Sequence, residues 1–204
     1  MSDAAPLPIV MAVTGASGAP YAVRLLEALV AERQPVQLIV SDHGLRLLQT
    51  ETDVATVGDL RTRVGAGAWD QHVTLFDDGD RGAAPASGSA RNRGMVICPC
   101  SMGTVSAIAV GASRSLVERA ADVALKERRR LIVVPRETPY SAIHLENMLR
   151  LTRAGAVVLP ASPGFYHRPA EIDELVDFVV ARVLDHLGVA HTIGRRWGES
   201  PEDR

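Results

Sequence analysis

Three short stretches of the chain combine glycine or hydroxyl side chains with the start of a helical pattern. The first is residues 14–18 (TGASG), which directly follow an apolar run; Ser41 and residues 101–104 (SMGT) follow two other apolar runs in the same way. Glycine lets a backbone turn tightly and approach a ligand, and the first turn of a helix offers unpaired N–H groups to a phosphate. Because Ser and Thr are also preferred helix caps, a purely structural role is the alternative. The first stretch is neither a full G-x-G-x-x-G fingerprint nor a P-loop, since no lysine follows it.

Charged and aromatic side chains follow the last two apolar runs. Arg136 and Glu137 come directly after one of them. Glu137 could act as a general acid or base and Arg136 could bind an anion, although an exposed ion pair is the alternative. Tyr166, in a proline-rich loop, could donate to a phosphate, and Arg182 on the next helical pattern could supply positive charge.

Two cysteines and one histidine are predicted to be structural. Cys98 and Cys100 are one residue apart, too close for an unstrained disulfide and too few for a zinc site. They lie in an apolar run with no histidine nearby, which favours buried, unreactive thiols. His144 has no second histidine four residues on and is predicted to be a hydrogen-bonded interior residue rather than a metal ligand.

Five apolar runs of strand length position these motifs. They are residues 9–13, 36–40, 95–98, 131–134 and 156–159. Such runs are typical of parallel strands covered on both faces. Helical patterns fall between or after them, at residues 21–33, 115–128, 141–153 and 171–187. This alternation predicts an α/β fold, a three-layer doubly wound parallel sheet of the Rossmann-like type, in which ligands bind at the carboxyl ends of the strands.

Composition limits the class of protein. The 204 residues are 47% apolar and 23% charged, which predicts one domain over residues 1–204, with a core at about residues 8–188 and a polar tail at 189–204. A net charge of −2 and 4% aromatic residues argue against a nucleic-acid partner. No run of 18 apolar residues occurs, so no membrane span is predicted. Residues 77–94 are rich in Gly, Ala, Ser and charge, and predict a loop.

The location of the protein is predicted from its first residues and its cysteines. The short apolar stretch near the N-terminus has no Lys or Arg before it, unlike a secretory signal. Two cysteines that do not form a disulfide suit a reducing compartment. We therefore expect a cytoplasmic protein.

Four sequence blocks together resemble the UbiX family of flavin prenyltransferases, formerly described as 3-octaprenyl-4-hydroxybenzoate carboxy-lyases. The blocks are TGASG, PASGS…GMVICPCSMGT, ERAADVALKERRRLIVVPRETPYSAIHLENM and GAVVLPASPGFYHRP. The resemblance runs from about Ile9 to Trp197, and its long third block and the GFYHRP segment are the most specific parts. It implies that a dimethylallyl group passes from dimethylallyl phosphate, usually the monophosphate, to N5 and C6 of reduced FMN, without a metal. It also implies trimers that assemble into dodecamers, and delivery of prenylated FMN to a UbiD-type decarboxylase.

The resemblance also implies a role for each matching residue. FMN would be bound by Gly15, Ala16, Ser17, Ser41, Ser101, Met102, Gly103, Thr104 and Arg136. The dimethylallyl phosphate would be held by Lys126, Arg136, Tyr166 and Arg182. Glu137 would lie near the reacting atoms with Ser17 as its partner, and either Glu137 or the departing phosphate would accept the C6 proton. Gly103 departs from the family, in which many members carry Lys or another larger residue there.

Three other functions are compatible with this fold. Flavin-dependent decarboxylases of a peptidyl cysteine are expected to carry a catalytic His early in the chain and a PxxAN-type loop, where this chain has PCSMGT. A direct decarboxylase of an aromatic acid is the second alternative. A non-catalytic FMN carrier is the third, but it would need neither an acid–base group such as Glu137 nor a second phosphate site.

Overall fold

The apolar runs form the strands of one parallel sheet in the computed structural model, which describes residues 6–194. The six strands have the order β3-β2-β1-β4-β5-β6, and every neighbouring pair is parallel. They are β1 (Ile9–Val13), β2 (Val36–Val40), β3 (Val73–Phe76), β4 (Gly94–Cys100), β5 (Leu131–Pro135) and β6 (Val157–Val158). The strand order reverses between β1 and β4, which is the switch point where doubly wound sheets bind ligands.

Helices connect the strands and cover both faces of the sheet. Within residues 6–194 they are α1 (Ala19–Ala31), α2 (Asp42–Glu51), α3 (Val57–Val64), α4 (Ala66–His72), α5 (Met102–Ala109), α6 (Leu116–Lys126), α7 (Ala142–Arg153) and α8 (Ile172–Leu187). A short 3₁₀ turn covers Ala84–Ala86. None of the helices in this part of the chain is long and apolar enough to cross a membrane.

Two apolar clusters form the core, one on each face of the sheet. Alternate residues of β1 enter different clusters: Ile9 and Met11 pack with α1 and α8, whereas Val10 and Ala12 pack with α5 and α6. This follows from the two-residue period of a strand, which places successive side chains on opposite faces. The predicted three-layer, doubly wound α/β fold is confirmed.

Several boundaries differ from the predicted ones. β4 begins one residue earlier and continues to Cys100, and β6 is shorter than predicted. α1 begins at Ala19, because Pro20 suits the first turn of a helix. β3 was not predicted, because this edge strand is only partly buried and lacks a continuous apolar run.

The predicted loop at residues 77–94 is present and is attached to the core. Its one regular element is the 3₁₀ turn. The Arg129 guanidinium donates to the carbonyl oxygens of Gly88 and Ala90, the latter at 2.9 Å. The far end of the predicted polar tail, from residue 195 on, lies outside the described residues.

Candidate active site

The loop after β1 is shaped by contacts that exclude side chains. A Cβ atom on Gly15 would lie 2.5 Å from the Cβ of His43, and Gly18 has a φ of 123°, which side chains rarely adopt. Ala16 is buried, whereas Ser17 is half-buried. Gly18, not Ser17, is the residue that precedes α1, and it has no side chain to cap the helix. The glycines therefore let this loop pass close to α2.

Glu51, the last residue of α2, caps α1 from a distance. Its Oε2 accepts hydrogen bonds from the N–H groups of Gly18, at 2.7 Å, and Ala19, at 2.9 Å. The hydroxyl of Ser17 also hydrogen-bonds to the Glu51 carboxyl. A carboxylate at this position is favoured by the partial positive charge of a helix N-terminus. Sequence reasoning missed Glu51, because nothing in the pattern links the end of one helix to the start of another 32 residues earlier.

The Glu51 carboxyl is held in its ionised form. Burial acts to raise its pKa, but the hydrogen bonds from Ser17, Gly18 and Ala19 act in the opposite direction. The charge of Arg136 also lowers it, and the balance leaves the pKa of Glu51 below its ordinary value. The carboxylate can therefore accept a hydrogen bond from Ser17 at neutral pH and hold its hydroxyl in one orientation.

Ser41 lies beside the end of β1, as predicted. Both its N–H, at 3.1 Å, and its Oγ, at 3.3 Å, donate to the carbonyl oxygen of Val13. The Oγ also accepts from the N–H of Gly44 at 3.1 Å and caps α2. The capping role and the predicted position at the ligand edge are thus both present in one residue.

The SMGT stretch begins α5 at the same edge. Ser101 caps the helix: its Oγ accepts from the N–H of Thr104 at 3.1 Å and lies 2.9 Å from the Thr104 hydroxyl oxygen. Met102 is buried, and Gly103 is exposed. A Cβ on Gly103 would lie no closer than 3.8 Å to Ser101 Oγ, so there is space for a side chain there.

Arg136 joins the end of β5 to the loop after β1. Its Nε donates to the carbonyl oxygen of Ser17 at 3.1 Å. Glu137 is half-buried beside it, and its Oε1 accepts from the N–H of Thr138 at 3.1 Å. Glu137 was expected to be the partner of Ser17; in the structure the carboxyl bound to Ser17 is that of Glu51 instead.

Lys126 and Arg182 lie at the other edge of the sheet. α6 begins near the carboxyl end of β3, where Val117 N–H donates to Asp78, so its last residue, Lys126, is at the amino edge. Arg182 is one turn before His186, whose carbonyl oxygen accepts from Arg130 at the start of β5. Within residues 6–194 no hydrogen bond or ion pair joins either cation to Ser17 or Arg136.

Lys126 and Arg182 pair with carboxylates close to them in the sequence, and Tyr166 packs against an aromatic ring of α8. Lys126 pairs with the carboxylate of Glu127, and Arg182 pairs with that of Asp185 at 2.8 Å. Tyr166 is 57% exposed and packs edge-to-face on Phe178 with ring centroids 5.9 Å apart. One copy of the chain therefore does not bring together the residues proposed to hold a dimethylallyl phosphate.

The cysteines are structural, as predicted. Both are buried with no disulfide. Burial raises the pKa of Cys98 to about 12, and raises that of Cys100 as well, so neither is a thiolate at neutral pH.

His144 is half-buried rather than interior, contrary to the prediction. It forms a capping box with Ser141 at the start of α7. In the described residues, no group of three or more His, Cys, Asp or Glu side chains is placed to hold a metal ion.

The donors at the carboxyl edge fit a phosphorylated flavin. The first turn of α5 leaves the N–H groups of Met102 and Gly103 without an intrahelical acceptor. Such groups, with the Thr104 hydroxyl and the Arg136 guanidinium, suit a phosphate and the polar edge of a flavin ring. A doubly wound sheet with these loops at its switch point defines a nucleotide-binding α/β protein.

Comparison with known proteins identifies the family to which this nucleotide-binding α/β protein belongs. The sequence matches the Flavoprotein family over residues 2–184. A flavin prenyltransferase UbiX of Pseudomonas aeruginosa is 52% identical over 196 residues, which cover 94% of each chain.

Two solved structures have the same fold at substantial identity. AnUbiX (PadA1), in complex with FMN and dimethylallyl pyrophosphate, is 39% identical with a TM-score of 0.88, covering 96% of this chain and 99% of that chain. A dodecameric FMN-dependent UbiX-like decarboxylase from Escherichia coli O157:H7 is 41% identical with a TM-score of 0.85, covering 94% and 99%. The chain belongs to the Flavoprotein family and, within it, to the UbiX flavin prenyltransferases.

Proposed function

We propose that this protein transfers a dimethylallyl group from dimethylallyl phosphate to N5 and C6 of reduced FMN. The observation that carries the proposal is that the residues after β2, β4 and β5 all hydrogen-bond to residues 13–17, at the end of β1 and in the loop that follows it. The relative from P. aeruginosa is a flavin prenyltransferase, and AnUbiX binds FMN together with dimethylallyl pyrophosphate.

The chain's own groups at the carboxyl edge bind and orient the flavin. Gly15, Ala16 and Ser17 form one side of the site, and Ser41 forms another. The residues from Ser101 to Thr104, with Arg136, complete it. When bound, reduced FMN supplies the electron-rich N5 and C6 atoms. Breaking the allylic C–O bond of the donor leaves a cation and a phosphate, so fixed positive charge beside the phosphate lowers the barrier.

Two carboxylates, Glu137 and Glu51, contribute to the proposed chemistry in different ways. Glu137 is half-buried after the end of β5, and either Glu137 or the departing phosphate would accept the proton released at C6. Ser17 is hydrogen-bonded to the ionised Glu51, which orients its hydroxyl towards the site without taking its proton. Catalysis would therefore involve Glu137 and Ser17, with Glu51 holding the Ser17 hydroxyl.

The prenyl phosphate would be held at an interface between copies of the chain. Lys126 and Arg182 lie at the amino edge, away from Ser17, so they would serve the carboxyl edge of a neighbouring subunit. Together with Arg136 and Tyr166 they supply a metal-free set of phosphate ligands.

Exposed apolar side chains support such an assembly. On α7, Ile143 is 67% exposed and Leu145 is 55% exposed, and Phe165 in the loop after β6 is 68% exposed. Large apolar side chains left this exposed are available for contact with another subunit. The E. coli relative is a dodecamer, and we propose a trimer-based dodecamer here as well.

The proposed product, prenylated FMN, would serve as the cofactor of another enzyme. Prenylated FMN has no further role in the transfer itself, so we propose that it passes to a UbiD-type decarboxylase in the cytoplasm. The whole chain would act as one flavoprotein domain.

Mass spectrometry of the flavin tests the reaction directly. Reduced FMN is incubated anaerobically with the protein and with dimethylallyl monophosphate or diphosphate in separate reactions. A flavin heavier by the mass of one five-carbon unit supports the proposal, and the faster donor is expected to be the monophosphate. An unchanged flavin with both donors contradicts it.

A direct decarboxylase is the second candidate, because the E. coli relative is described by that activity. Release of CO₂ from an aromatic acid by the protein with unmodified FMN, and no change in the flavin mass, would favour this candidate. A carrier would instead bind FMN and change neither substrate.

A further inference from the structure

Thr14 is one of three polar or charged side chains buried in the described part of the chain, and it has no role in the proposed chemistry. It lies between β1 and Gly15, with 3% of its surface exposed. Its Oγ1 donates to the carbonyl oxygen of Pro99 at 3.0 Å and accepts from the N–H of Ser101 at 2.9 Å. Its own N–H also donates to Pro99, at 3.2 Å. One buried side chain thus joins the ends of β1 and β4.

These hydrogen bonds determine which N–H groups of α5 can bind a ligand. The Ser101 N–H is used by Thr14, and the Thr104 N–H is used by Ser101 Oγ. The N–H groups of Met102 and Gly103 are the two of the first turn that remain for an anion. Because Thr14 immediately precedes Gly15, the same side chain also sets the position of the loop after β1.

We infer that Thr14 is a positioning residue that sets the distance between the two FMN-binding loops, residues 15–17 and residues 101–104. A ligand that contacts both loops needs them held within a fraction of an ångström. The register pairs of β1 and β4 end at Ala12 and Ile97. Beyond them the backbone bond from Thr14 to Pro99 reaches the end of β4, whereas the contact with residues 101–104 is made by the Thr14 hydroxyl through the Ser101 N–H. The inference rests on the proposed function only in naming FMN as that ligand.

The test compares FMN binding by three variants in the FMN-free form. Thr14→Val keeps the shape but removes both hydroxyl hydrogen bonds, and Thr14→Ser keeps the hydroxyl. Leu60→Ala, at the buried position of α3, is the control for lost stability without a change at the loops. Flavin fluorescence gives the dissociation constant, and thermal unfolding shows that each variant is folded at the temperature used.

We expect Thr14→Val to weaken FMN binding at least about tenfold, because Ser101 N–H loses its acceptor and the loops separate. Thr14→Ser and Leu60→Ala should remain near the wild-type dissociation constant. Wild-type affinity in Thr14→Val, equal losses in Thr14→Val and Thr14→Ser, or an equal loss in Leu60→Ala would each overturn the inference.

Hydrogen exchange on the wild-type chain provides a measurement that needs no variant. The Ser101 amide is expected to be protected before FMN is added, since it donates to a buried oxygen. Exchange of this amide at the rate of an exposed loop would overturn the inference even if Thr14→Val failed to fold. Failure of the wild-type chain to bind FMN would instead contradict the proposed function, and the exchange result would still decide whether Thr14 joins the loops.

Discussion

Ser17 is held from two sides by charged residues that are distant in the sequence. Its carbonyl oxygen accepts from Arg136, and its hydroxyl is bound to Glu51. These contacts leave the side chain little rotational freedom, so its hydroxyl is oriented before a ligand arrives. Preorganisation of this kind reduces the cost of reaching the reactive geometry.

Glu137 and Arg182 are predicted to affect different steps. Glu137→Gln is nearly isosteric, so binding of FMN and prenyl phosphate should persist while turnover falls by ~10²–10⁴-fold through loss of proton transfer. Arg182→Ala removes a charge-assisted contact of about 1.5–3 kcal/mol and should mainly weaken the prenyl phosphate, roughly ten- to a hundredfold. Anaerobic single-turnover absorbance with product mass measures both. Near-wild-type prenylation by Glu137→Gln would leave the departing phosphate as the base.

Glu51 is predicted to make stability depend on pH. Its pKa is lower in the folded protein than its ordinary value, so its ionised form stabilises the fold above the unfolded pKa. This contribution is lost as pH falls through the folded pKa. Glu51→Gln should therefore lower the free energy of unfolding at neutral pH, and the difference from wild type should shrink in acid.

Urea unfolding at neutral and acidic pH measures this difference, with Glu146→Gln on the exposed side of α7 as the control. A gap between wild type and Glu51→Gln that stays constant over the whole pH range would show that the lost contribution does not come from ionisation.

At the level of elements, α1, α2, α5, α6 and α7 begin in two ways. α2, α5, α6 and α7 each begin after a serine whose side chain accepts from a backbone N–H of the first turn. α1 begins after a glycine and is capped by Glu51 from α2. The start of α1 is the exception among these five helices. Its cap, Glu51, also hydrogen-bonds to Ser17, a residue of the proposed site.

Two glycines in first turns are predicted to respond oppositely to substitution. A Cβ on Gly44 would lie 2.4 Å from the Val13 carbonyl oxygen, so Gly44→Ala should destabilise the chain by about 1–3 kcal/mol. Gly103 has space for a Cβ, so Gly103→Ala should stabilise by about 0.5–1 kcal/mol. Denaturant unfolding of the FMN-free protein compares them, and similar changes in both variants would contradict the geometry.

At the scale of the whole molecule, the two edges of the sheet carry different parts of the proposed site. The carboxyl edge has Ser17, Arg136 and Glu137, and the amino edge has Lys126 and Arg182. The helices run antiparallel to the strands, so residues near their C-terminal ends are far from the loops that precede them. The proposed site is therefore complete only if a second copy of the chain supplies Lys126 and Arg182.

Complementation between variants tests this arrangement. Glu137→Gln and Arg182→Ala chains, carrying different tags, are co-expressed and purified through both tags. If one site uses residues of two chains, the mixed oligomer should be more active at low prenyl phosphate than either variant alone. In the control mixture, the Arg182→Ala chain is replaced by a chain that carries both substitutions, so that no chain has an intact Glu137. Equal activity in both mixtures, or light scattering at the mass of one chain, would contradict a shared site.

The fold class and the loops at the carboxyl edge could be predicted from the amino-acid sequence. Near-continuous apolar runs specify buried parallel strands, and glycine and serine after those runs specify turns and caps; both signals are local. Ser41, Ser101 and Arg136 lie at the expected edge of the sheet for this reason, and their contact with FMN stays a prediction. β3 was missed because an edge strand needs only one buried face and carries a weaker pattern.

Which polar side chains contact each other could not be predicted from the sequence and depends on the packing of the whole fold. The pairing of Ser17 with Glu51, and the link from Thr14 to Ser101, join segments 32 or more residues apart through contacts that no periodicity encodes. The structure likewise placed Lys126 and Arg182 at the opposite edge, because the direction of a helix relative to the sheet follows from its packing. Apolar pattern specifies what is buried, whereas the partners of a polar side chain depend on which elements the packed core brings together.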